Sequence, residues 1–174
     1  MKILVCGDIN AGKSTLIEKL LRDMNAAPFG YITVRMPAVC GVSKVYLYDI
    51  ANPPERVEDA EVIISISEGK RERHPELLET LGVHYLSDIP EGSVVVLDEI
   101  GTLESACPEF QKAVMRILDG NYTVLASVKA QNTEFLRAVR KHSDCELYII
   151  TPDNRDSLYE QIKGEYEEFK YGIE

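Results

Sequence analysis

The sequence contains no tryptophan and no C-x-x-C pair, and its four cysteines, Cys6, Cys40, Cys107 and Cys145, stand far apart. That spacing excludes a disulfide framework and a four-ligand zinc site, and the expectation is a protein of the reducing cytoplasm. Long apolar runs are missing too. Val94–Leu97 stops at Asp98 and Val62–Ile64 gives way to Ser65, whereas a membrane span needs about 20 apolar residues. No membrane association is expected, and Met1–Cys6 is too short for a secretory signal. Positive charge is scarce: Lys+Arg 19 against Asp+Glu 29 gives a net charge of −10. Such a chain repels nucleic-acid backbones and anionic lipid, so no nucleic-acid partner is expected. An anionic ligand must be held locally, by backbone N–H groups and a few placed cations. The three histidines, His74, His84 and His142, show no ligand spacing.

What is present is an ordinary globular composition, 45% hydrophobic and 28% charged over 174 residues, enough for one domain with its own core. Lys2–Cys6 reads as a buried strand. Lys13–Met24 carries Leu16, Ile17, Leu20 and Leu21 on one helical face. Strand-like segments follow at Tyr31–Arg35, Val45–Asp49 and Val62–Ile66, then a proline-opened helix from Pro75 to about Ser87. The second half alternates regularly. Strands are expected at Ser93–Leu97, Tyr122–Val128 and Glu146–Ile150, with helices at Pro108–Leu118, Thr133–Lys141 and from Pro152 through Tyr166. This alternation predicts an α/β fold with a mainly parallel sheet flanked by helices in three layers. The stretch 36–73 breaks the rhythm and is expected to be a small antiparallel insertion.

Gly7-Asp8-Ile9-Asn10-Ala11-Gly12-Lys13-Ser14 fits G-x-x-x-x-G-K-[ST] between an apolar strand and an amphipathic helix. The two glycines permit a backbone path that turns successive N–H groups onto a polyphosphate. The helix opening at Lys13 adds its positive dipole end. Lys13 supplies a point charge to the outer phosphates, Ser14 a hydroxyl for Mg²⁺, and Thr15 a donor to an inner phosphate. Downstream, Asp98-Glu99 closes an apolar strand. Asp98 is positioned to hold Mg²⁺ and Glu99 to take a proton from an attacking water. Asp98-Glu99-Ile100-Gly101 also satisfies the D-x-x-G of GTPases, but no N/T-K-x-D guanine reader follows.

Four segments together resemble the cancer-related nucleoside-triphosphatase family. They are the phosphate loop, Gly30-Tyr31-Ile32-Thr33-Val34-Arg35, Val96-Leu97-Asp98-Glu99-Ile100-Gly101-Thr102-Leu103-Glu104 and Thr151-Pro152-Asp153-Asn154-Arg155-Asp156. The helices at 75–87 and 110–118 are also similar to the family's. The resemblance implies one three-layer P-loop NTPase domain over 1–174, with RecA-like strand order, hydrolysing ATP, GTP and other nucleoside triphosphates with Mg²⁺. It also implies a strand inserted between the phosphate-loop strand and the acidic strand, for which Tyr122–Val128 is the candidate. The Gly30 segment is one residue shorter than the family's and lacks its glutamate, and 36–73 does not match.

The candidate site is therefore Lys13 and Glu99 for catalysis and Ser14 and Asp98 for the metal. Gly7, Asp8, Ile9, Asn10, Ala11, Gly12, Lys13, Ser14 and Thr15 would bind nucleotide. Asn154 and Arg155, after the last strand, are candidates for the base. Arg35 and the basic run Lys70-Arg71-Glu72-Arg73-His74 are candidates to reach the phosphates, the run as a lid or simply as a solvated loop. Two alternatives are a P-loop kinase or transferase whose small acceptor sits in the 36–73 insertion, and a non-catalytic nucleotide-dependent switch. A monomer is the expected state.

Overall fold

The structure, a computed structural model, describes residues 1–172; positions 173–174, the end of the expected domain span, lie outside the described residues. In chain order the strands are β1 (Lys2–Cys6), β2 (Phe29–Val39), β3 (Val42–Asp49), β4 (Glu61–Ser67), β5 (Lys70–Arg73), β6 (Val94–Ile100), β7 (Thr123–Val128) and β8 (Glu146–Ile149). The helices are α1 (Lys13–Met24), α2 (Pro75–Leu77), α3 (Val83–Tyr85), α4 (Pro108–Asp119), α5 (Glu134–Arg140) and α6 (Arg155–Tyr171). A π turn at Leu78–Gly82 joins α2 to α3, so the proline-opened helix forms with an irregular middle.

All eight strands belong to one sheet, ordered β5-β4-β3-β2-β6-β7-β1-β8. The pairs from β2 through β6, β7 and β1 to β8 are parallel. β7 stands between the phosphate-loop strand and the acidic strand, the inserted position that the resemblance implied. The apolar strands are sandwiched because successive side chains serve opposite faces. In β6, Val94 and Val96 join Leu16, Ile17 and Leu20 of α1 and Leu158 and Ile162 of α6. Val95 and Leu97 join Phe110, Val114 and Leu118 of α4 and Leu136 of α5. Each such fully buried side chain contributes roughly 1.5–3 kcal/mol by leaving water.

Two strand boundaries differ from the sequence reading. The expected insertion is not a separate appendage. β2 begins as a parallel neighbour of β6 at Phe29–Ile32 and continues to Val39 as the antiparallel partner of β3, so the boundary placed at Met36 falls inside a strand. Two-residue turns at Cys40-Gly41 and Glu68-Gly69, both with positive φ, fold β3 back onto β2 and β5 back onto β4. Such primed turns match the natural strand twist. The run Lys70–Arg73, weighed as a loop or lid, is the edge strand β5. Second, β6 does not stop at Leu97. Ile32 of β2 continues to pair with Asp98, which carries the strand through the two acids. On the β7 side, pairing jumps from Leu97↔Ala126 to Ile100↔Val128. Two acidic residues thus face one residue, Ser127, and this irregularity re-aims their side chains.

Candidate functional site

The site lies at the carboxyl ends of β1, β7, β6 and β2, where open α/β sheets place ligands. Gly7 leaves β1 against the end of β8, so closely that a Cβ would stand 2.5 Å from the Ile150 carbonyl oxygen. Gly12 caps α1 with φ 101°, in a region that side chains avoid. Between these points the loop curls over the Lys13 side chain. The ammonium donates to the carbonyl oxygens of Gly7 at 2.9 Å and Asp8 at 2.8 Å, and it lies 3.4 Å from Glu99 Oε1. Lys13 is only 6% exposed, yet every contact it makes is an oxygen that a phosphate oxygen can replace.

The bulge in β6 brings the acids to the same spot. Asp98 is buried and accepts hydrogen bonds on Oδ1 from Ser14, at 3.3 Å, and from Ser127. Burial pushes its carboxyl above the usual range, opposed by the Ser127 and Ser14 hydroxyls and by Lys13, and assisted by the neighbouring Glu99 charge. Glu99 is held between two cations, Lys13 on Oε1 and Lys129 on Oε2 at 2.9 Å. The Lys129 stem crosses Gly101, where a Cβ would stand 3.0 Å from its Cδ. Pairing across the sheet makes Ser127 the partner of Asp98 and Lys129 the partner of Glu99.

Glu104, the last residue of the acidic segment, is buried in the wall beside them, with its Oε2 lacking a hydrogen-bond partner among the described residues. Burial raises its carboxyl above the ordinary 4.5, against hydrogen bonds at Glu104 and Gly101 and the Lys129 charge, while Glu99 adds to the rise. An acid whose pKa is higher folded than unfolded favours folding most below the unfolded value. Its contribution is lost as pH rises through the folded value, about 1.4 kcal/mol per unit of displacement. Glu104→Gln, which cannot titrate, therefore gains thermal stability relative to the parent as pH rises from 4.5. Melting temperatures of both proteins across acidic to neutral pH check this, and a constant difference would contradict it.

A cavity of about 470 Å³ opens from the phosphate loop toward the antiparallel strands. Ile9, Asn10, Gly12, Lys13, Ser14 and Thr15 line it on one side, with Glu99, Glu104 and Lys129 at its base and Thr33, Arg35, Arg71 and Arg73 across from them. Arg35 and the two arginines of the basic run thus line the cavity wall across from the loop, as strand residues. Gly7, Asp8, Ala11 and Asp98 are not among the lining residues. Asn154 and Arg155 do not line this cavity. The Asn154 carboxamide is engaged by its own loop, accepting from the Thr151 N–H at 2.7 Å and donating to the Ile149 carbonyl oxygen at 2.9 Å. Arg155 lies over the outer side of the loop, its Cδ 3.7 Å from where a Gly12 Cβ would be.

Comparison with known proteins agrees with this architecture. A family profile described as NTPase matches residues 2–163. A nucleoside-triphosphatase THEP1 from Thermofilum pendens is 39% identical over 100 residues, 56% of this chain and 55% of that protein. The nucleoside-triphosphatase THEP1 of Thermotoga maritima is 28% identical over 165 residues, 93% of each chain. The crystal structure of THEP1 from Aquifex aeolicus superposes with a TM-score of 0.71 at 22% identity, covering 93% of this chain and 96% of that one, and shows the same fold. With the profile spanning nearly its whole length, the chain belongs to the NTPase family and is a nucleoside-triphosphatase.

Proposed function

We propose that this protein hydrolyses nucleoside 5′-triphosphates, ATP and GTP among them, to diphosphate and phosphate with Mg²⁺ in the cytoplasm, and that Lys13, Ser14, Asp98 and Glu99 carry the reaction. The observation that carries this reading is the Glu99 carboxylate fixed between Lys13 and Lys129, directly beside the phosphate loop. Incoming phosphate oxygens compete for the Lys13 ammonium. As Lys13 turns to them, one Glu99 oxygen is released to hold the attacking water. Lys129 keeps the other oxygen in place, so the carboxylate stays aimed. An attacking water held by Glu99 then transfers its proton there as it meets the outer phosphorus.

The residues present suit magnesium. Ser14 and Asp98 offer a hydroxyl and a carboxylate oxygen 3.3 Å apart, the hard donors this ion prefers. Among the described residues no group of three or more His, Cys, Asp or Glu gathers as a self-sufficient cage. That suits an ion shared with substrate oxygens and water. Bound there, Mg²⁺ neutralises charge developing on the phosphates. The loop residues Gly7, Asp8, Ile9, Asn10, Ala11, Gly12 and Thr15 surround the phosphates. Arg155, over the outer face of the loop, is the better placed of the two base candidates, because the Asn154 amide closes its own turn. The test is phosphate release from a panel of nucleoside triphosphates with Mg²⁺ and with chelator. Turnover that requires Mg²⁺ is expected, and undiminished release in chelator would refute the metal assignment.

A further inference from the structure

Hydrolysis needs only water opposite the phosphate loop, yet the cavity runs from that loop across the antiparallel strands. Cross-strand pairing lays four residues in a row there. Arg35 of β2 pairs with Val45 of β3, Val45 with Ile64 of β4, and Ile64 with Arg73 of β5. The adjacent row sets Ile66 against Arg71. Directly paired residues share a face, and all six line the cavity. The result is an aliphatic platform with a guanidinium at either side, Arg35 and Arg73 being three strand spacings, about 14 Å, apart at Cα.

Charge sharpens the picture. In a chain of net charge −10, Arg22, Arg56 and Arg155 each meet a carboxylate, and Arg116, Arg137 and Arg140 donate to carbonyl oxygens. Arg35, Arg71 and Arg73 meet none among the described residues, although Glu72 lies between the last two and turns to His74 instead. Unpaired guanidiniums over an apolar surface match an anion that carries an apolar or flat body. Phosphate and carboxylate oxygens take the forked donors, and a ring packs against the β-branched side chains.

We propose that this face is a second ligand site, distinct from the phosphate loop, for a small organic phosphate with a ring-bearing body of the size of a nucleoside monophosphate. It goes beyond hydrolysis, since it adds a ligand that water-driven cleavage does not need. The phosphate falls to Arg71 and Arg73, and the ring lies on Val45, Ile64 and Ile66.

The test is calorimetric titration of AMP and GMP into protein already saturated with the imido analogue of ATP, beside adenosine and inorganic phosphate. The monophosphates are expected to bind the saturated protein, and adenosine or inorganic phosphate at least about tenfold more weakly, each having lost one half of the recognition. Arg71→Ala with Arg73→Ala weakens AMP binding by about tenfold or more and leaves the affinity for the imido analogue unchanged. Ile66→Glu, which puts a carboxylate on the platform without touching either arginine, has the same effect. Simple competition between AMP and the imido analogue would overturn the proposal, since the face would then be part of the triphosphate's own site. Unchanged AMP affinity in both variants, no binding at millimolar AMP, or loss of imido-analogue affinity in the double-arginine variant would overturn it equally. If the imido analogue itself fails to bind while AMP does, and the double-arginine variant loses AMP, the hydrolytic reading falls and this site stands.

Discussion

Glu99→Gln is expected to slow phosphate release by about 100-fold or more, the range over which a positioned general base acts, while nucleotide still binds. The carboxamide has the shape of the carboxylate but accepts no proton from water at neutral pH. It also ends both ion pairs, to Lys13 at 3.4 Å and to Lys129 at 2.9 Å. Releasing Lys13 removes a competitor for the incoming phosphates, so the dissociation constant for the imido analogue should hold or fall. A variant that binds tightly and stalls is the signature of a lost base. One that loses affinity in step with turnover would mean that Glu99 organises the loop instead. One that turns over at the parental rate would remove Glu99 from the chemistry altogether. Phosphate release and equilibrium binding on the same preparation separate the three.

How far these residues could be read before folding depends on how local their signals are. The phosphate loop was legible because all its requirements, from the apolar strand through the two glycines to the helix start, fall within about one βα unit of chain. The acidic pair was legible as chemistry but misplaced as geometry. An apolar run stopping at Leu97 reads as a strand end, whereas β2 pairs onward with Asp98 and draws the strand to Ile100. Strand order is not written in periodicity at all. That Thr123–Val128 slots between β1 and β6 came only through resemblance to a family. The antiparallel extension shows the opposite failure. Its turn signals, Cys40-Gly41 and Glu68-Gly69, are present in the chain, but the charged sequence of Lys70–Arg73 masks a strand. An edge strand tolerates such charge because one side of it has no partner. Glu104 closes the segment that resembles the family's, but what it and Lys129 do in the site is not local. Their roles arise where β7 and the turn after β6 converge, and burial without a partner at Glu104 Oε2 exists only in three dimensions.

Lys13→Ala should abolish detectable turnover and weaken binding of the imido analogue by roughly 10- to 100-fold, the worth of a charge-assisted contact to phosphate. It also acts where no nucleotide is involved. The Lys13 ammonium satisfies two loop carbonyls, of Gly7 and Asp8, and sits beside Glu99, with Asp98 buried next to it. Removing it leaves those carbonyls without their donor and the two acids with one cation fewer. The melting temperature should therefore fall as well, by the equivalent of about 1–3 kcal/mol. Lys13→Ala then loses binding, turnover and some stability together, whereas Glu99→Gln loses turnover alone. The double variant decides whether the two residues act through each other. With Glu99 neutralised there is less repulsion for Lys13 to relieve, so the stability cost of Lys13→Ala should shrink in the Glu99→Gln background, while the loss of binding should remain. An undiminished stability cost would place the Lys13 contribution in the carbonyl contacts and not in the carboxylates.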